Sequence, residues 1–163
     1  MIENEPRVRV GTPSDFNPMV QFLIEMHFEN GMAPLSMEKM VPTLQCLLAQ
    51  HNGIVGVIDG EGGEIAGAVG LLIAGWWYSE EKHLEDLFTF VRAPYRHMRM
   101  ARPLLDFAKY ASTRLSLPLL MGVLTEERAE AKVRLYQRQL PMVGALFLYR
   151  PPGALGAVMK EAS

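Results

Sequence analysis

Four arginines, Arg92, Arg96, Arg99 and Arg102, fall between an apolar run ending at Val91 and a helix-like run starting near Met100. A short loop feeding a helix start leaves backbone N–H groups unpaired and presents the positive end of the helix dipole. Such a place suits a phosphate group, and arginine adds planar, charge-assisted donors. A solvated basic helix start fits the same residues, and the segment alone leaves both readings open. Elsewhere the chemistry is thinner. His27, His51, His83 and His97 show no metal-ligand spacing, so no metal is expected and each reads as a surface or loop residue. The lone Cys46 can form neither an internal disulfide nor a cysteine metal cluster. Leu44, Leu47 and Leu48 around it predict a buried helix position.

The elements that must position these residues follow from periodicity. Val8 and Val10 predict a short strand ending at Gly11. Thr12-Pro13-Ser14-Asp15 then reads as a helix entry, with Ser14 or Asp15 capping free N–H groups. Phe16, Met19, Val20, Leu23, Ile24 and Phe28 follow at helical spacing, and Asn30-Gly31 should stop that helix in the left-handed conformation. Ser36 can cap a second helix lined by Met40, Leu44, Leu47 and Leu48. Strands are predicted over Ile54–Ile58, Glu64–Ile73 and Leu84–Val91, the first two joined by a glycine-rich hairpin at Asp59–Gly63. A helix over Met100–Leu115 comes next, with Pro103 in its first turn and Leu104, Leu105, Phe107, Ala108, Ala111 and Leu115 as core positions. A strand over Leu119–Leu124, a helix over Glu126–Gln139 and a strand over Val143–Tyr149 complete the order. Consecutive antiparallel strands followed by an alternating βαβα half predict an α/β fold, a mixed sheet with helices on both faces.

The 163 residues suit one domain, residues 1–163, with a loosely held tail from about residue 151. Hydrophobic residues make up 49% and charged residues 21%, as in an ordinary globular protein. Sixteen basic against eighteen acidic side chains give a net charge of -2, which argues against nucleic acid as a partner. The longest apolar run, Ile65–Tyr78, falls short of the roughly 20 residues of a membrane span. Met1–Arg9 is charged and lacks a signal-peptide core, so a cytoplasmic protein is expected.

Val91, Pro94, Tyr95-Arg96 and then Ala101 ahead of a Leu104-Leu105 helix resemble the acyl-CoA motif of the GNAT N-acetyltransferases. The family pattern Gln/Arg-x-x-Gly-x-Gly/Ala aligns as Arg96-His97-Met98-Arg99-Met100-Ala101, with Arg99 in place of the middle glycine. That glycine lets backbone approach a pyrophosphate closely, so Arg99 is the main departure. Downstream, Arg134-Leu135-Tyr136-Gln137-Arg138 followed by Gly144-Ala145-Leu146-Phe147 is similar to the family's Leu-Tyr-x-x-x-Gly-Phe region. The asparagine that many members carry seven residues before the tyrosine is Ala129 here.

The resemblance spans roughly Val8–Arg150 and implies transfer of acetyl from acetyl-CoA to a primary amine, on a small molecule or a protein, without a metal. It implies a cofactor-binding stretch of Phe90, Val91, Arg92, Arg96, His97, Met98, Arg99, Met100, Ala101 and Arg102. Of these, the Val91 N–H is expected to hold the acetyl oxygen. Where members use a glutamate base it lies eleven residues before the first motif residue, which is Glu85 here, with Asp86 and His83 as substitutes. Tyr136 takes the general-acid position. Trp76, Trp77 and Tyr78 can line the acceptor pocket, close the core or form a dimer contact; homodimers are frequent in this fold. Loss of the motif glycine and the asparagine keeps a second reading open, a non-catalytic acyl-CoA-binding or interaction module.

Overall fold

The computed structural model describes residues 6–125 and 128–153. In chain order the elements are β1 (Arg9–Val10), α1 (Phe16–Asn30), α2 (Met37–Leu48), β2 (Gly53–Asp59), β3 (Ile65–Gly75), β4 (Lys82–Val91), α3 (Ala101–Leu115), β5 (Leu119–Leu120) and α4 (Ala129–Gln137). The strands form one five-stranded sheet in the order β1-β2-β3-β4-β5. All neighbours are antiparallel except β4 and β5, which run parallel. Helices cover both faces, as the element order predicts.

Strand alternation sorts the sheet residues between two cores. Met19, Phe22 and Leu23 of α1 and Leu44, Leu47 and Leu48 of α2 pack on Val55, Val57, Ala68, Phe88 and Phe90. On the other face Leu104, Ala108 and Ala111 of α3 pack on Ala66, Val69, Leu71 and Leu84. Burying one such leucine is worth about 1.5–3 kcal/mol, so the two helix faces anchor the sheet from both sides. At the start of α1, Asp15 accepts the Thr12 N–H at 2.8 Å and a bidentate pair from Arg9 at 2.8 and 2.9 Å. Arg9 also grips Asp59, and its guanidinium holds both carboxyls below their usual range. Asp15, of the two predicted caps, therefore ties the helix entry to β1 and β2.

Several expectations need correction. Gly31 does end α1, but in an extended conformation (φ -64, ψ 132) rather than left-handed. A Cβ there would lie 2.5 Å from the His27 carbonyl oxygen, so close packing of His27 accounts for glycine. Cys46 is exposed, because the α2 stripe of Leu44, Leu47 and Leu48 leaves it on the outer side. Ile24, Phe28 and Leu115 are exposed as well, outside the stripes their helices bury. His83 is buried rather than a surface residue, stacked on Trp76 with ring centroids 4.2 Å apart.

The predicted strand Leu119–Leu124 stops at Leu120. Beyond it the Gly122 N–H turns to the Asp86 carboxylate at 2.8 Å instead of a strand partner. No strand forms over Val143–Tyr149 among the described residues, and Val143, Leu146, Phe147 and Tyr149 are exposed. A two-residue β5 offers too short an edge to template it. The predicted helix Glu126–Gln139 is α4 over Ala129–Gln137; its first two predicted residues lie outside the described residues, as does most of the predicted tail. Among the described residues no helix is long and apolar enough to cross a membrane.

Candidate active site

The site arises where the sheet stops being regular. β4 carries a bulge: Gly70 faces Phe88 and Leu71 faces Asp86, which leaves Leu87 as the extra residue. A Cβ on Gly70 would lie 2.4 Å from the Phe88 ring, so glycine is what lets that ring lie across β3. β5 pairs with β4 only at Leu84 and Glu85, and past these residues the two strands part. The opening is closed from outside by α4 and by the turn Ala93–Met98 leading into α3. It encloses a cavity of about 220 Å³, lined among others by Thr89, Phe90, Val91, Arg96, Arg99, Met100, Ala101, Arg128, Lys132 and Tyr136.

Of the residues singled out in the sequence, Phe90, Val91, Arg96, Arg99, Met100, Ala101 and Tyr136 thus meet at one cavity. Arg92, His97, Met98, Arg102 and Glu85 do not line it. The arginines divide by their partners. Arg92 pairs with Glu25 and Glu64, each at 2.6 Å, and Arg102 with Asp106 at 3.0 Å. Arg96 pairs with Glu29, donates to the Val91 carbonyl at 3.0 Å and lies over the Phe90 ring. It braces the strand end. Arg99 makes no ion pair among the described residues.

Arg99 also resolves the departure noted in the sequence. Its backbone is left-handed (φ 53, ψ 34), the conformation glycine adopts freely. The loop keeps the turn a glycine would make and adds a guanidinium beside the cavity. For most residues this conformation costs roughly 1–2 kcal/mol. Arg99→Gly is therefore expected to raise stability by about 1 kcal/mol, or about 2–4 °C in Tm. Thermal unfolding checks it, and an unchanged or lowered Tm contradicts the strain argument.

Buried Tyr136 and its half-buried neighbours Thr89 and Asp86 form a polar group beside the cavity. Asp86 accepts the Thr89 hydroxyl at 3.2 Å as well as the Gly122 N–H. Burial pushes the Asp86 carboxyl above its usual range. The Tyr136 hydroxyl is pushed up to about 12 by burial and then by the Asp86 charge, with hydrogen bonding from Thr89 acting the other way. Lys132, one helical turn before Tyr136, donates to the Thr89 carbonyl at 3.1 Å. Burial and then the Arg96 charge hold its ammonium below the usual lysine range. Glu85 points elsewhere: its carboxylate takes His83 Nε2 at 3.2 Å, while His83 Nδ1 is buried with no partner among the described residues. Trp77 and Tyr78 are exposed.

Thr89 and Lys132 were missed in the sequence. Lys132 carried a signal, since it stands four residues before Tyr136 and shares its helix face. Among the described residues no group of three His, Cys, Asp or Glu side chains could hold a metal.

No family model matches the chain, and no curated protein matches its sequence. Solved structures do match in shape. An aminoglycoside acetyltransferase from an uncultured soil metagenomic sample superimposes with a TM-score of 0.69 at 17% identity, over 93% of this chain and 99% of that one. A ribosomal-protein-alanine N-acetyltransferase from Brucella melitensis biovar Abortus 2308 gives 0.65 at 12% identity, over 88% and 95%. A putative acetyltransferase from Arthrobacter sp. FB24 gives 0.64 at 21% identity, over 88% and 94%. With helices on both faces of a mixed sheet that parts between β4 and β5, the chain has the fold of the GNAT-type acetyltransferases.

Proposed function

We propose that the chain transfers acetyl from acetyl-CoA to a primary amine. One observation carries this reading: the parting of β4 and β5 leads from the turn before α3 to Thr89 and Tyr136, with Asp86 hydrogen-bonded behind Thr89. The donor's phosphates suit the backbone of residues 96–101, the start of α3 and the Arg99 guanidinium. Its acyl arm suits the unpaired edge of β4, where backbone groups seek hydrogen bonds. The Val91 N–H is the donor assigned to the acetyl oxygen, polarising the carbonyl.

Amine attack requires a proton to leave the nitrogen and another to reach the sulfur. Thr89 lines the cavity and already donates to Asp86, so its hydroxyl can take the amine's proton while passing its own to that carboxylate. Tyr136, protonated at neutral pH because its hydroxyl is pushed up to about 12, donates to the departing thiolate. The acceptor is read as a small-molecule amine: a structural neighbour of the same fold was crystallised with sisomicin.

Acetyl-CoA binding is the first test. At a concentration of one hundred times Kd, binding stabilises the folded state by about 2.7 kcal/mol. The expected Tm rise is roughly 5–10 °C. Calorimetry without heat at millimolar acetyl-CoA, together with an unchanged Tm, overturns the reading. Binding without acetyl transfer to any amine in a screen would instead identify an acyl-CoA-binding module.

A further inference from the structure

We propose that Lys132 is a self-acetylation site: its amine lines the cavity against the Thr89 carbonyl and is itself a primary amine placed where an acceptor nitrogen must come. The inference rests on the acetyltransferase reading and adds a product that reading does not require. Among the described residues Lys132 is the only lysine lining this cavity; Lys39 and Lys82 are exposed on other elements.

The geometry favours reaction there over a surface lysine. Thr89 sits on the β4 edge that β5 has left, so the Lys132 nitrogen points into the opening between the strands. The charged groups facing it come from every surrounding element. Arg96 from the turn before α3 and Arg128 ahead of α4 disfavour its protonation, while Asp86 on β4 and Glu29 at the end of α1 favour it. Burial is the largest influence and acts with the first pair, and the sum lowers its pKa, which enlarges the free-amine fraction near neutral pH.

The step balances. The neutral Lys132 nitrogen attacks the acyl carbon, a C–N bond forms and the C–S bond breaks. The nitrogen loses one proton through Thr89 to Asp86, and Tyr136 gives one to the thiolate. The products are an acetamide on Lys132 and free CoA thiol, with no change in oxidation state. Acetylation also removes the cation that holds the Thr89 carbonyl and adds an acyl group inside the cavity.

The test incubates the full chain with acetyl-CoA and follows each lysine by peptide mass spectrometry, with Tm read in parallel. Expected is one acetyl group on Lys132, gained at least about tenfold faster than on Lys39 or Lys82 and suppressed by excess free CoA. The rate should climb with pH through a midpoint below the ordinary lysine range, because the reactive form is the deprotonated one. In Lys132→Arg the modification should vanish rather than move to an exposed lysine. Acetyl-CoA binding by Tm with Lys132 no faster than the exposed lysines, or insensitive to free CoA, overturns this inference alone. Absence of acetyl-CoA binding overturns the enzymatic reading and this inference with it.

Discussion

Asp86→Asn is expected to lower kcat by roughly 10²–10⁴-fold once an acceptor is in hand, with acetyl-CoA affinity nearly unchanged. Asparagine keeps the shape, with its one oxygen accepting the Gly122 N–H and its amide nitrogen donating to the Thr89 hydroxyl, but it cannot take a proton. In the wild-type protein burial raises the Asp86 pKa, so the acidic limb of kcat should lie above the carboxyl's ordinary value of 3.8. Below that limb the carboxyl is protonated and activity is lost; in Asp86→Asn the limb should disappear. Folding should behave oppositely. A carboxyl whose folded pKa is raised contributes stability at pH below its unfolded value, and that contribution is lost as pH rises through the folded pKa. The neutral amide avoids this loss, so the variant should be no less stable at pH 7 than the wild type. Glu85→Gln serves as the comparison, since Glu85 is half-exposed and held by His83. If Glu85→Gln loses rate and Asp86→Asn does not, the base is Glu85, as the family resemblance implies.

The fold was legible because the strongest signals are periodic. Met19 with Leu23, and Leu104 with Ala108 and Ala111, recur at helical spacing and end on opposite faces of the sheet. The hairpin of β2 and β3 follows from two apolar runs around glycines. What periodicity hides is which members of a pattern stay outside: Cys46 and Leu115 belong to apolar helices yet lie exposed. That the strand expected over Val143–Tyr149 does not form was not legible, because pairing depends on a neighbour's length and β5 is two residues long.

The site was half legible. The turn from Arg96 to Ala101 is marked by its arginines, and Tyr136 by its place on α4. Which carboxylate reaches Tyr136 was not, because Glu85 and Asp86 are adjacent and point to opposite faces. The bulge at Leu87 and the contact of the Gly122 N–H hold Asp86 on the side of Tyr136, and neither leaves a local signature. Arg96 shows the same limit. Its type suggested phosphate, but Glu29, distant in sequence, comes to its side.

Tyr136→Phe isolates the other proton. The ring is buried among Thr89, Leu135 and the cavity wall, so removing only the hydroxyl leaves the packing in place. The hydroxyl lost is partly hydrogen-bonded, which limits the cost to about 0.5–1.5 kcal/mol of stability. Its catalytic effect should be much larger. With the phenol gone, the thiolate must leave unprotonated or wait for solvent, and kcat should fall by roughly 10²–10⁴-fold. Acetyl-CoA affinity should stay within a few-fold, because the hydroxyl acts on charge that develops only during transfer. The pH dependence gives a second reading. A hydroxyl pushed up to about 12 remains protonated through pH 10, so the wild-type kcat should show no basic limb from Tyr136 in that range. Loss of affinity with kcat preserved would make Tyr136 a binding contact and not the acid. Both values preserved would leave the transfer to proximity and to carbonyl polarisation at Val91.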